Sequence, residues 1–232
     1  MDFVCGGYFL TKRRPRERAF RPQGTFVTIS PERVQFFPDT WAISWATESD
    51  EDRVERAAAL DIPASALPAL IPQVTELFER LFFWPNVIRS VAAARELLHL
   101  LARTPGWLLI GFDVAPADVE DLLVRNAPAP QVPGFAPTRA GGVFETLSER
   151  KPLEPGFSER GFDVLCIGSG MVWHSHLDFD LALTKAYDGA LNVDGLLPDY
   201  SSARRAAEAL TNNPAVGSPR PFIAARIVTY EV

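Results

Sequence analysis

Apolar stretches of strand length lie near both ends of the chain, and residues 25–30 alternate with the period of two that is typical of a β-strand. The first of these stretches contains Gly6 and Gly7, and paired glycines inside a strand indicate a bulge or a close backbone approach. The last is apolar on both faces apart from Arg226, which predicts a central position in its sheet. The pattern predicts strands over residues 3–11, 25–30, 107–112, 161–167, 171–177 and 222–230.

These strands also have predicted partners. The segment 25–30 is rich in β-branched residues and is expected to pair with the first strand across a basic loop. The segments 161–167 and 171–177 are expected to form a hairpin about Gly168, Ser169 and Gly170.

Between residues 64 and 104 the apolar period changes to 3.6, which predicts two amphipathic helices. The first apolar stripe consists of Val74, Leu77, Phe78, Leu81 and Phe82, and the second of Val87, Val91, Ala94, Leu98 and Leu101. Further helices are predicted over residues 48–60, 117–126, 143–151 and 201–210.

Strands at both ends with helices between them predict an α+β fold. The expected sheet is mixed or antiparallel and is formed by the N- and C-terminal strands, with the central helical segment packed on it. One domain over residues 1–232 is expected, with a soft boundary in the stretch 127–142, which is rich in proline and glycine.

Composition and charge narrow the class of protein. The 232 residues are 47% hydrophobic and 22% charged, which is typical of an ordinary globular protein. No apolar run approaches the roughly 18 residues of a membrane span, and Cys5 and Cys166 lie too far apart in sequence to suggest a disulfide framework, so a cytoplasmic protein is predicted.

The net charge is −6, and it is unevenly distributed along the chain. Residues 1–40 carry seven basic and four acidic side chains, a balance of +3, which leaves −9 for the rest. An acidic surface repels nucleic-acid phosphates and favours a basic protein partner.

An acidic stretch is the first candidate for the surface that binds such a partner. Its carboxylates open a predicted helix and are expected to be exposed. Tryptophans just before it add the aromatic anchors that interfaces favour. The predicted interface residues are Trp41, Trp45, Glu48, Asp50, Glu51 and Asp52.

A cluster of histidine and aspartate supports an alternative function. His174, His176, Asp178 and Asp180 alternate, so on a strand all four would lie on one face. The order is similar to the H-x-H-x-D-H metal motif of metallo-β-lactamase-like hydrolases, but Phe179 stands where the next histidine belongs. The alternative is therefore a mononuclear site that uses His174, His176 and Asp178. In contrast, His99 is expected on the polar side of its helix and Cys166 in the core, with no catalytic role for either.

Two parts of the chain resemble uncharacterised bacterial proteins of the immunity-protein type. The first is Cys5-Gly6-Gly7-Tyr8-Phe9-Leu10-Thr11-Lys12-Arg13. The second runs from Gly161-Phe162-Asp163-Val164-Leu165 through Trp173-His174-Ser175-His176-Leu177 to Leu191-Asn192-Val193-Asp194-Gly195-Leu196-Leu197 and a final alanine-rich helix. His176 stands where the resemblance implies a tryptophan.

The leading hypothesis is a non-enzymatic protein-binding protein, an immunity or antitoxin-like inhibitor of a bacterial toxin, with no cofactor. The charge suits a basic partner such as a nuclease. The alternative is a metal-dependent hydrolase, and a third interpretation is a ligand-binding or oligomeric structural module. Self-association is left open by the sequence.

Overall fold

In the computed structural model of the protein, the described part of the chain forms an α+β fold. The structure describes residues 2–12, 14–15, 25–26, 63–66, 68–70, 72–73, 76, 82–83, 87–100, 107–125, 142–168, 171–175, 190–213 and 222–231. Within this part, seven strands form one antiparallel sheet, and two further short strands pair with each other. The predicted fold class is confirmed, and the sheet is antiparallel rather than mixed.

The regular elements of the described part have these bounds. The strands are β1 Val4–Lys12, β2 Arg14–Pro15, β3 Thr25–Phe26, β4 Phe82–Phe83, β5 Val87–Ile88, β6 Trp107–Val114, β7 Phe157–Gly168, β8 Met171–Ser175 and β9 Phe222–Tyr230. The helices are α1 Val91–Leu100, α2 Pro116–Arg125, α3 Val143–Ser148 and α4 Tyr200–Asn212, with a 3-10 turn at Ala64–Ala66.

The order of strands in the large sheet is β4-β5-β1-β6-β9-β7-β8. Strand β9 lies between β6 and β7, as its apolar character on both faces predicts. The hairpin of β7 and β8 is confirmed as well. The register between β1 and β6 shifts between Cys5 and Gly7, which confirms the bulge at the paired glycines.

Both faces of the sheet are covered by apolar side chains from helices. On one face, Ile110 and Ile223 of the central strands pack with Val119 of α2 and Leu147 of α3. On the other face, two separate clusters form. One joins α1 to β1, β6 and β9, and the other joins α4 to β7 and β9.

Two predicted elements differ in the structure. The second apolar stripe begins at Val87, but the helix begins only at Val91. Val87 and Ile88 form β5 because they pair with Phe83 and Phe82 of β4, so the predicted helical position of Phe82 was wrong too. The helix starts where Ser90 Oγ accepts a hydrogen bond of 3.0 Å from the Ala93 amide, as an N-cap residue does.

For residues 25 and 26, the expected pairing with the first strand was also wrong. Thr25 and Phe26 pair with Pro15 and Arg14 instead. Strand β1 already has a neighbour on each side, since it pairs with β6 along its length and with β5 at Tyr8. Residues 27–30 lie outside the described part, so their pairing stays a prediction.

Two predictions concern residues outside the described part of the chain. Residues 126–141 lie outside the described part, so the single domain with a soft boundary at 127–142 stays a prediction. The same holds for the predicted helix over residues 48–60. Within the described ranges, no helix has both the length and the apolar character that crossing a membrane requires.

Candidate functional site

The residues proposed from sequence as a partner interface or metal site are almost all outside the described part of the chain. His174 is the exception, and its backbone lies in β8 opposite Cys166 of β7. The others remain predictions: Trp41, Trp45, Glu48, Asp50, Glu51, Asp52, His176, Asp178 and Asp180. In the ranges that are described, no three residues among His, Cys, Asp and Glu converge as metal ligands would.

A groove with a cavity volume of about 270 Å³ lies between α2 and α4. Its carboxylates are Asp118 and Asp121 of α2 and Glu208 of α4, so we call it the acidic groove. Arg204 is the basic residue among its lining side chains. Buried residues of α4 and β9 line it as well, namely Ala207, Phe222, Ile223 and Ala224. The groove therefore combines apolar surface with an excess of negative charge.

Asp118 is the most enclosed carboxylate of the acidic groove. Burial raises its pKa, while the guanidinium of Arg204 and the hydroxyl of Tyr200 oppose that rise. The Tyr200 hydroxyl donates to Asp118 Oδ2 at 3.4 Å. Arg204 forms an ion pair with Glu208, four residues further along the same helix, and its Nε lies 3.0 Å from Glu208 Oε1. Because both members of that pair are more than half exposed, the pair contributes little stability, and either can be drawn to another charge.

A second pocket, which we call the arginine pocket, lies between the apolar cluster under α1 and the apolar cluster under α4. Arg226 of β9 and Asp113 of β6 lie opposite each other in register. Arg226 donates from Nε to Asp113 Oδ1 at 3.0 Å and from its second terminal nitrogen to Oδ2 at 2.5 Å. The Asp113 side chain is 1% exposed and that of Arg226 is 20% exposed, so the guanidinium forms the accessible side of a buried ion pair.

Aromatic rings flank the Arg226 guanidinium. Its central carbon lies 4.6 Å from the ring centre of Phe3 and 5.3 Å from that of Phe157. Distances under about 6 Å between a guanidinium and a ring face are attractive. The pocket has a cavity volume of about 600 Å³, and its other walls are Asp2, Val4, Pro116, Arg150, Pro152 and Leu153.

The segment that supplies Leu153 and Phe157 to this pocket is fixed by two buried tyrosines. The Tyr8 hydroxyl accepts from the Glu154 amide at 2.9 Å, and the Tyr230 hydroxyl donates to the Glu154 carbonyl at 2.7 Å. The Glu154 carboxylate accepts from the Val91 amide at 2.9 Å, at the positive end of α1. Burial raises the pKa of Tyr230 to about 12, so both hydroxyls keep their protons at neutral pH.

Two of the segments that carry the resemblance, residues 161–165 and 191–197, are in contact. Asn192 donates from its side-chain amide to the Arg160 carbonyl, and its Oδ1 accepts from the amides of Asp194 and Leu196. Phe162 and Leu197 exchange two backbone hydrogen bonds of 2.8 Å. We call this contact between β7 and residues 191–197 the asparagine clip. These hydrogen bonds fasten residues 191–197 to β7 of the central sheet.

Sequence reasoning missed the Asp113–Arg226 pair and the acidic groove. The pair had a signal, because each strand is apolar except for one charge and the two charges have opposite sign. No local sequence pattern indicated the acidic groove. Asp118 and Tyr200 are 82 residues apart, and only the placement of α2 and α4 beside the same end of β9 brings them together.

Two positions predicted for single residues are confirmed. His99 is exposed on α1, as predicted. Cys166 is fully buried, and its burial raises its pKa to about 11, which confirms it as a core residue.

No protein-family model, no curated protein and no solved structure matches this chain. The resemblance to immunity-type proteins therefore stays a prediction.

Proposed function

We propose that the protein is a non-enzymatic binding protein that holds a basic partner protein through the acidic groove. One observation carries the proposal: three carboxylates, those of Asp118, Asp121 and Glu208, share a groove with buried apolar residues of β9. This composition is complementary to a lysine or arginine side chain, which has an apolar stem and a cationic head.

The charges of the groove favour a cation over other occupants. Three carboxylates stand against the one guanidinium of Arg204, and Arg204 is already paired with Glu208. A hydrogen bond between charged groups contributes about 1.5–3 kcal/mol. Losing one such contact would weaken a complex about tenfold or more, since a factor of ten corresponds to about 1.4 kcal/mol.

The overall charge supports the same partner. The net charge of −6 attracts a basic protein at long range and speeds its association. In this proposal the acidic run of Glu48, Asp50, Glu51 and Asp52 steers the partner, while Trp41 and Trp45 anchor it. The protein acts in the cytoplasm as an immunity or antitoxin-like inhibitor, and a toxin that cleaves nucleic acid is a suitable partner because its substrate requires a basic surface.

Affinity purification from the native cells, with the full chain as bait at low salt, tests this proposal. The groove variant carries Asp118→Asn, Asp121→Asn and Glu208→Gln. A matched control carries Glu76→Gln, Glu149→Gln and Glu231→Gln, which removes the same charge from exposed positions outside the groove. We expect one basic protein to purify with the wild-type chain and with the control, and to be lost with the groove variant.

Two results would contradict the proposal. One is a partner retained equally by the groove variant and the control, which would place the interface elsewhere. The other is a partner with an acidic surface, which the groove would repel. Circular dichroism of both variants must first match the wild type, so that a loss of binding is not a loss of fold.

A further inference from the structure

We propose that the arginine pocket binds a small molecule with a carboxylate on a flat apolar body. This site is separate from the acidic groove, and its lining carries the two guanidiniums of Arg150 and Arg226 against the one carboxylate of Asp2. Its volume of about 600 Å³ is within the range of about 300–1,000 Å³ that small-molecule sites occupy.

Arg226 supplies the group that recognises the carboxylate. Asp113 holds Nε and one terminal nitrogen at 3.0 and 2.5 Å, which fixes the plane of the guanidinium. The other terminal nitrogen contacts only a loose partner, Glu159 Oε2, at 3.5 Å. Strong hydrogen bonds between guanidinium and carboxylate are about 2.7–2.9 Å long, so a ligand carboxylate can replace Glu159 with a shorter bond.

Arg150 brings a second guanidinium to the same pocket. Its φ is +52°, in the left-handed region that favours glycine, at a position just after α3. Its terminal nitrogen lies 2.6 Å from Glu120 Oε1, which holds the side chain in place. Glycine would relieve the backbone strain here, whereas arginine adds a cation to the wall of the cavity.

The remaining walls define the body of the ligand. The rings of Phe3 and Phe157 lie at the guanidinium, and Val4 and Leu153 continue the apolar surface. A flat apolar group can pack along these rings while its carboxylate meets Arg226.

The buried ion pair itself is better explained by binding than by stability. Exchanging a buried ion pair for well-packed apolar residues is often neutral or stabilising, because the desolvation of two charges offsets their attraction. A guanidinium that is oriented by a buried carboxylate and exposed to a cavity is nevertheless what an anion site needs.

Titration of the full-length isotope-labelled chain with benzoate, followed by NMR, tests the proposal. Benzamide is the control ligand, since it has the same shape without the charge. We expect benzoate to shift the signals of residues around Arg226 and to bind at least tenfold more tightly than benzamide. We expect Glu159→Gln to tighten benzoate binding because it removes the competing carboxylate.

Two further variants separate binding from folding. Arg150→Gly should raise the melting temperature, since it removes the left-handed strain, yet weaken benzoate binding several-fold. The double variant Asp113→Val with Arg226→Met replaces the pair by apolar side chains of similar total size and should abolish binding without unfolding the protein. Failure of benzoate to bind, equal binding of benzamide, or benzoate binding that is unchanged in Arg150→Gly and Glu159→Gln would each overturn the proposal. None of these outcomes bears on the acidic groove.

Discussion

Gly161 is the position at which a single methyl group should open the asparagine clip. Its φ is +136°, and a Cβ built there would lie 2.8 Å from the Leu197 carbonyl oxygen and 2.9 Å from Asn192 Nδ2. Gly156 provides a matched control. Its φ is also positive, at +92°, but nothing lies within 4 Å of the corresponding Cβ.

The two substitutions to alanine share one cost and differ in another. Both glycines have positive φ, and holding an alanine in such a sparsely populated region costs about 1–3 kcal/mol. Overpacking against fixed backbone adds about 1–3 kcal/mol, and this cost applies only at Gly161. The gain from a less flexible unfolded chain is the same for both variants, so it cancels in the comparison.

Thermal unfolding followed by circular dichroism measures this difference. For a domain of this size, 1 kcal/mol shifts the melting temperature by about 2–4 °C, so Gly161→Ala should melt about 2–12 °C below Gly156→Ala. Hydrogen exchange locates the damage. The amides of Phe162 and Leu197, which bond across the clip, should lose protection in Gly161→Ala only. Equal melting temperatures with unchanged exchange at Phe162 and Leu197 would refute the clip as the reason for a glycine at this position.

Three further predictions concern cysteine reactivity, acid stability and metal content. Burial raises the pKa of Cys5 to about 12 and that of Cys166 to about 11, so at pH 8 only about one Cys5 thiol in ten thousand and about one Cys166 thiol in a thousand is ionised. Iodoacetamide should therefore modify both cysteines only after unfolding, which mass spectrometry can check. The amide and hydroxyl of Ser202 lower the pKa of Asp199, the N-cap of α4. The stability from this carboxylate is therefore present above its unfolded pKa of about 3.9 and is lost as pH falls through the lowered value. Asp199→Asn should flatten that part of a profile of melting temperature against pH, and an unchanged profile would contradict the capping role. The purified protein should hold less than one equivalent of Zn or Fe, with a melting temperature that a chelator leaves unchanged, whereas stoichiometric metal that His176→Ala releases would establish the site of His174, His176 and Asp178.

The strands could be predicted from sequence where the apolar pattern is local. Strand β9 is an example, since its apolar run fixes both its bounds and its central position. Strand β7 shows the limit. It begins at Phe157 rather than at 161 because polar residues such as Ser158 and Glu159 pair with the end of β9. That pairing depends on a distant strand and leaves no alternating pattern in the local sequence.

The helix boundary at Val91 was missed for a related reason. A stripe of apolar residues at helical spacing continues from Val87 into α1, but pairing of Val87 and Ile88 with β4 and of Ile88 with Tyr8 overrides it. The arginine pocket was less predictable still. Asp113 and Arg226 are 113 residues apart, and their partnership exists only once β6 and β9 are neighbours. The asparagine clip, by contrast, was visible as a pair of motifs whose contact the sequence could not show.

The dissociation constant of the purified complex, measured by calorimetry at low and at physiological salt, is the most direct test of a basic partner in the acidic groove. The control variant should bind almost as tightly as the wild-type chain, and both should bind more weakly as salt rises. The groove variant with Asp118→Asn, Asp121→Asn and Glu208→Gln should bind at least about tenfold more weakly at low salt and should depend less on salt. Affinities of the groove variant that coincide with those of the wild type at both salt concentrations would contradict the proposed function.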